Sequence, residues 1–145
     1  MVRDLLPECA FCALSAGAAT TPVIFEDPSV LAFFPKRPAA LGHTLIIPRA
    51  HIQDLWHLDI GTAAILARVT VDLAHALRTA LRPDGLNVIN SSGAAASQTV
   101  FHLHVHLVPR WRDDQFGAIW PDPSPPFTAE ELEAAADALR SSLSP

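Results

Sequence analysis

Cysteine is scarce in this chain, with two among 145 residues, both in Cys9-Ala-Phe-Cys12. So small a number argues against a disulfide framework. A thioredoxin-like redox pair needs a strand before the motif and a helix after it, and the N-terminus is read as offering neither. Two readings of the pair stay open: reduced thiols, or half of a zinc site that needs two more ligands. Uninterrupted apolar runs are short as well. None reaches the ~18 residues of a membrane span, so no membrane partner is expected. Met1–Pro7 is too short and too acidic for a signal peptide, so a cytoplasmic location is expected. Long runs of Lys or Arg are missing and the formal net charge is −5. Nucleic acid is therefore not an expected partner, whereas a small anion held by a local cluster is compatible with that balance. Internal repeats are absent too. What the chain does have is apolar content, half of its residues, enough for one domain with a real core.

Thirteen prolines punctuate the sequence, clustered near Pro35–Pro38 and Pro121–Pro126. Val23-Ile-Phe-Glu26 and Val30-Leu-Ala-Phe-Phe34 read as strands joined by a turn at Asp27-Pro28-Ser29. Gly42 to Pro48 reads as a third strand, and a helical turn is expected over His51 to Trp56. From about Asp59 to Leu81, apolar residues recur at Ile65, Leu66, Val69, Leu73, Ala76, Leu77 and Ala80. These intervals of three and four predict one long amphipathic helix, stopped by Pro83 and Gly85. Leu86 to Asn90 alternates as a strand and Ser91 to Ser97 forms a loop of small residues. Thr128-Ala-Glu-Glu131 fits a capping box for a last helix running to about Ser141. The predicted class is α+β: a mainly antiparallel sheet of about five strands, one long central helix and a C-terminal helix. Residues 1–110 are read as the catalytic domain and 111–145 as a Trp- and Pro-rich tail with a helix packed on the same domain.

Between loop and tail stands Phe101-His-Leu-His-Val-His-Leu-Val108. In extended form its side chains alternate between faces. His102, His104 and His106 then point one way, while Phe101, Leu103, Val105 and Leu107 point the other, toward a core. His102 and His106 lie roughly 13 Å apart on a straight strand at ~3.3 Å per residue. Zinc–nitrogen bonds of about 2 Å cannot join all three rings, so a zinc hydrolase built on the triad alone is disfavoured. A neutral imidazole with one nitrogen free is, by contrast, a good nucleophile toward phosphorus. His104 is the middle ring, flanked by two imidazoles able to stabilise a phosphate. No Ser, Cys or carboxylate nucleophile signature competes with it.

This motif resembles the signature of the histidine-triad family of nucleotide hydrolases and transferases, His-x-His-x-His followed by apolar residues. Ala95-Ala-Ser-Gln-Thr-Val100 resembles the family lead-in, with Ser97 at a usual glycine. Gly42-His-Thr-Leu-Ile-Ile-Pro48 resembles its Gly-His strand, and a Cys-x-x-Cys start occurs in its bacterial zinc-containing members. The resemblance implies a HIT-like fold and the roles that follow. His104 attacks the α-phosphorus to form a nucleotidyl-histidine, and water then releases a nucleoside monophosphate from a phosphoramidate or dinucleoside polyphosphate. His106 binds the α-phosphate. Thr99, Gln98, Asn90 and Phe33 fall among substrate-binding positions. His43 matches a histidine near the triad, and a buried structural role for it stays equally open. Cys9, Cys12, His51 and His102 would make a structural Zn²⁺ site, so that the first triad histidine is claimed by metal; a metal-free triad is the rival. A purine nucleotide is the implied partner. A homodimer is also implied, and the apolar face from Ile65 to Ala80 is compatible with it.

Two further features depart from the pattern, and the first is the loop from Asn90 to His102, one residue longer than in the best-known members. Second, where the family carries an Asp or Asn for the ribose hydroxyls, eight residues before His43, this chain has Pro35, which offers no side-chain acceptor and no N–H. That departure motivates a second expectation, a nucleotide-binding regulatory module with little catalysis. Outside the motifs, His57 and His75 read as solvated. Trp111 and Trp120 read as packing residues or as a segment reaching a partner's site.

Overall fold

A computed structural model describes residues 8–143; the reading of Met1–Pro7 lies outside them. The elements run α1 (Ala10–Ser15), β1 (Val23–Glu26), β2 (Val30–Phe33), β3 (Thr44–Pro48), α2 (Ile60–Leu81), β4 (Gly85–Ile89), β5 (Val105–Arg110) and α3 (Ala129–Ser142). Single 3-10 turns sit at Leu55–His57 and Ala94–Ala96. The five strands form one antiparallel sheet in the order β1-β2-β3-β5-β4. The predicted α+β class and five-stranded sheet are what the structure has.

Local chemistry explains most of the boundaries. The β1–β2 turn is closed by Asp27, whose Oδ1 accepts from the backbone N–H of Ser29 and of Val30, each at 2.7 Å; a short acidic side chain favours such a turn. Asp59 caps α2 by accepting from Thr62 N–H at 2.9 Å, and Thr128 with Glu131 closes the expected capping box on α3. α2 stops at Leu81 as expected, one residue ahead of the Arg82–Pro83 bond. Arg82 adopts the left-handed conformation, φ 50°, and ends the helix, while Gly85 opens β4. Gly42 is required where it stands: its φ is +85° and a Cβ there would collide with Leu81.

Each face of the sheet has its own core. On one face Val30, Ala32, Ile46, Leu103 and Leu107 pack against Leu66, Val69 and Leu73 of α2. Each fully buried aliphatic side chain there stabilises by about 1.5–3 kcal/mol. On the other face Leu31, Phe33, Leu45 and Ile47 pack against Phe11 of α1. The period of two sends alternate residues of β2 and β3 to opposite cores. By length and composition alone, α2 would suffice to cross a membrane; it lies instead along the sheet with one side covered, Ile60 and Val71 staying exposed.

Two expectations are corrected. The N-terminus carries α1, which places Cys12 inside a helix capped by Cys9. Six residues with no charge pattern give little periodicity to read. The histidine run is also not all strand: pairing begins only at Val105. Before it, backbone and side chain bond elsewhere. Leu103 N–H donates to the Ile52 carbonyl at 2.6 Å, and Phe101, expected in the core, is 46% exposed. In the tail, Arg110 is held by Asp114 at 2.7 Å and lies over the Phe116 ring. Residues of α3 are not buried, so the packing expected for the tail is not made by α3 within the single chain.

Candidate active site and metal centre

The three imidazoles share the face that carries Phe11, even though only His106 lies in a paired strand. The rings of His104 and His106 are 4.9 Å apart. Phe11 stands edge-on to His104, with ring centroids at 5.2 Å, and it touches Phe33 as well. Nothing in the sequence pairs Phe11 with the triad, so this wall of the site was not foreseen.

Fixed hydrogen-bond partners decide which nitrogen of each ring carries the proton. A carbonyl can only accept and an N–H can only donate. His104 Nδ1 lies 2.7 Å from its acceptor, the His102 carbonyl, so Nδ1 is protonated and Nε2 keeps a free lone pair. His102 Nε2 donates to the Pro48 carbonyl at 2.8 Å, which leaves Nδ1 unprotonated. Ala39 N–H donates to His43 Nδ1 at 2.9 Å. The neutral His43 ring therefore carries its proton on Nε2 and donates it to His106 Nδ1 at 2.9 Å. His106 is left presenting Nε2–H. Burial is the main force keeping these rings neutral. It lowers the pKa of His43 and of His104 and brings His102 and His106 down to about 4. For His106 the nearby His104 and His43 rings add to the effect.

Cys9, Cys12, His51 and His102 come together as the resemblance implied, with one ligand atom from each within 4.8 Å of all the others. His102 Nδ1 is 3.5 Å from Cys9 Sγ and 3.6 Å from Cys12 Sγ, and His51 Nδ1 is 3.4 Å from Cys12 Sγ. Zinc bonds of about 2.3 Å to sulfur and 2.05 Å to nitrogen, at tetrahedral angles, set the sulfur–nitrogen edge at about 3.6 Å. The donor set fits Zn²⁺ in kind and in spacing. Its surroundings fit too: Pro48 holds the far side of His102, and Cys12 N–H donates to Cys9 Sγ at 3.5 Å.

Other expected site residues are placed differently. Asn90 donates from Nδ2 to the His104 carbonyl at 2.9 Å, so it positions the middle histidine. Gln98 is buried and its amide is spent on the loop. Its Oε1 accepts from Gly93 N–H, and its Nε2 donates to the Gln53 and Val100 carbonyls. In this structure the Gln98 amide thus holds the loop that leads into the histidine run. Thr99 is exposed and lines a cavity of about 740 Å³ beside Cys9 and His51. Phe33 is buried in the sheet core and lines a second cavity on the triad face. His75 is exposed, but His57 is more than solvated, since its Nδ1 lies 2.6 Å from buried Asp54.

A family model for the HIT domain matches residues 16–113 of this chain. The chain belongs to the histidine-triad family. The protein called Protein hit in Bacillus subtilis is 34% identical over 136 residues, 93% of this chain and 94% of the relative. A crystal structure of a Bacillus subtilis HIT family member matches at TM-score 0.87 and 33% identity, covering 95% of this chain and 99% of that one. A zinc-bound histidine-triad protein from Mycobacterium smegmatis matches at TM-score 0.71 and 39% identity, covering 94% and 98%. Some family members are hydrolases: adenylylsulfatase HINT3 of Arabidopsis thaliana is 31% identical over 107 residues, 74% of this chain and 54% of that relative.

Proposed function

We propose that this histidine-triad protein is a nucleotide hydrolase or nucleotidyl transferase acting through a covalent nucleotidyl-histidine. One observation carries the reading. His104 is held with Nδ1–H on the His102 carbonyl and Nε2 unprotonated, beside a ring whose Nε2–H is set by the relay Ala39–His43–His106. A nucleophile and a phosphate-binding donor are thus prepared side by side without any movement of protons.

In the proposed reaction the lone pair on His104 Nε2 attacks the α-phosphorus. A phosphorus–nitrogen bond forms as the bond to the leaving group breaks, and the leaving group departs with that electron pair, an amine taking from solvent a proton that the water of the second step gives back. His106 Nε2–H donates to a non-bridging phosphate oxygen as charge develops there. Water then attacks the same phosphorus, the phosphorus–nitrogen bond breaks, and a nucleoside monophosphate is released. Substrates of this class are nucleoside phosphoramidates and dinucleoside polyphosphates, with a purine base. Zn²⁺ held by Cys9, Cys12, His51 and His102 would fix α1 to the start of the histidine run. Its part is structural, because all four protein ligands are spoken for. A cytoplasmic homodimer is the assembly we infer, supported by the composition and by the open apolar side of α2.

The test is His104→Ala and His104→Asn, assayed on adenosine phosphoramidates and polyphosphates. Turnover should fall by about 10³-fold or more, with the circular-dichroism spectrum and melting temperature kept. Full activity in either variant sinks the mechanism. A wild type that binds nucleotide but turns over no member of the panel would favour the binding-module reading.

A further inference from the structure

The second cavity, about 520 Å³, lies beside the triad on its own face of the sheet. Phe33 stands opposite Leu45, and Leu45 stands opposite His106. Side chains directly opposite on antiparallel strands share a face about 5 Å apart, so the cavity floor continues the row from His106 outward. Phe11 forms a wall, reaching His104 with its ring edge. A nucleoside joined to a phosphorus at His104 would lie over this floor, with its base on apolar surface and its sugar at the rim.

The rim is formed by Thr20, Thr21, Pro35, Lys36 and Arg37. Among the described residues no carboxylate lines the cavity. Free ribose hydroxyls are usually read by a carboxylate acceptor, whereas a ribose phosphate is read by a cation. Here the charges on the described lining are two adjacent cations, Lys36 and Arg37, in a chain of net charge −5. Among the described residues neither Lys36 nor Arg37 has an acidic partner. Pro35 and Pro38 flank them, which fixes two φ angles and restricts Arg37, so the pair is held on a stiffened loop.

We propose that this cavity, through Lys36 and Arg37, selects a nucleotide whose ribose carries a second phosphate on its 2′ or 3′ oxygen. The proposal rests on the reading of the chain as a nucleotide enzyme, and its test separates the two. Calorimetry on the zinc-loaded protein would compare adenosine 5′-monophosphate with adenosine 2′,5′- and 3′,5′-bisphosphates. At least one bisphosphate should bind about tenfold tighter at low salt, and the advantage should shrink in about 0.5 M salt. The Lys36→Ala/Arg37→Ala double variant should bring the ratio of affinities close to one, Lys36→Arg should keep it, and Pro35→Asp should shift it toward the monophosphate. Equal or weaker binding of both bisphosphates overturns the proposal, as does a preference that survives the double alanine variant. A bisphosphate preference without turnover of any phosphoramidate, with or without the ribose phosphate, overturns the catalytic reading and leaves the cavity assignment standing. Absence of all nucleotide binding overturns both.

Discussion

On one flank of His104, His102 gives its Nε2–H to the Pro48 carbonyl and keeps Nδ1 toward the two thiols. On the other flank, His106 spends Nδ1 on His43 and keeps Nε2–H for the site. The residue type is the same, and both are buried enough to stay neutral near pH 7. Their roles differ because their fixed neighbours differ: a carbonyl acceptor on one side and an imidazole donor on the other. His102 becomes a ligand with a lone pair and His106 a donor without one on its open side. A side chain's chemistry here is set by what occupies its other nitrogen.

Breaking the metal flank should have the largest effect. Removing the proposed zinc with a chelator, or replacing Cys12 by Ser, should leave two buried and two half-buried donors without a shared ion and free α1 from the histidine run. We expect a loss of about 3 kcal/mol or more, read as a fall in melting temperature of about 10 °C. Activity should fall with it, since the start of the run carries the carbonyl that orients His104. Metal analysis accompanies the melt. A purified protein with less than about half an equivalent of zinc and free thiols at Cys9 and Cys12, or one whose melting is indifferent to the chelator, contradicts this account.

Breaking the relay flank should leave the fold and alter the chemistry. In His43→Ala, His106 loses the donor that holds its tautomer, and kcat should drop about 10- to 100-fold, with a smaller change in KM. The pH behaviour sharpens the contrast. An unfolded chain begins to protonate His106 near pH 6.5, while the folded protein resists until about 4, because of burial and then the His104 and His43 rings. The unfolded state thus binds more protons between those limits. The stability contributed by the neutral ring is complete above about 6.5 and declines as pH falls toward 4. Proton NMR should place the His106 midpoint near 4 in the wild type and measurably higher in His43→Ala, with burial and the His104 ring still holding it below 6.5. A midpoint that does not move would remove His43 from the relay.

How much of this was written in the sequence follows the range of each interaction. The β1–β2 hairpin, α2 and the α3 cap are local patterns, and they were legible from Asp27, the apolar period and Thr128. The alternation of the histidines was legible too, and it survives although the pairing starts only at Val105. The metal quartet was reached only through family resemblance, since residues from 9 to 102 meet by folding. The proton positions could not be read at all. They depend on the carbonyls of Pro48 and His102 and on the N–H of Ala39, which every residue but proline's nitrogen supplies alike. Gln98 shows a contact the motif does not reveal. Its place in a motif suggested substrate, while its burial gives all its hydrogen bonds to the loop.

The smallest expected effect tests the middle of the comparison. Asn90 donates to the His104 carbonyl at 2.9 Å from β4's end, so it acts on the backbone of the nucleophile and leaves the ring untouched. Asn90→Ala should cost about 1 kcal/mol of stability and only a few-fold in kcat, because the ring stays anchored by Nδ1 to His102. Asn90→Asp is the sharper variant. It keeps the size of the side chain but replaces the donor with a carboxylate oxygen facing a carbonyl, so it should lose more than the alanine variant. If Asp proves milder than Ala, the amide serves only to fill space, and the orientation of His104 rests on its two flanks alone.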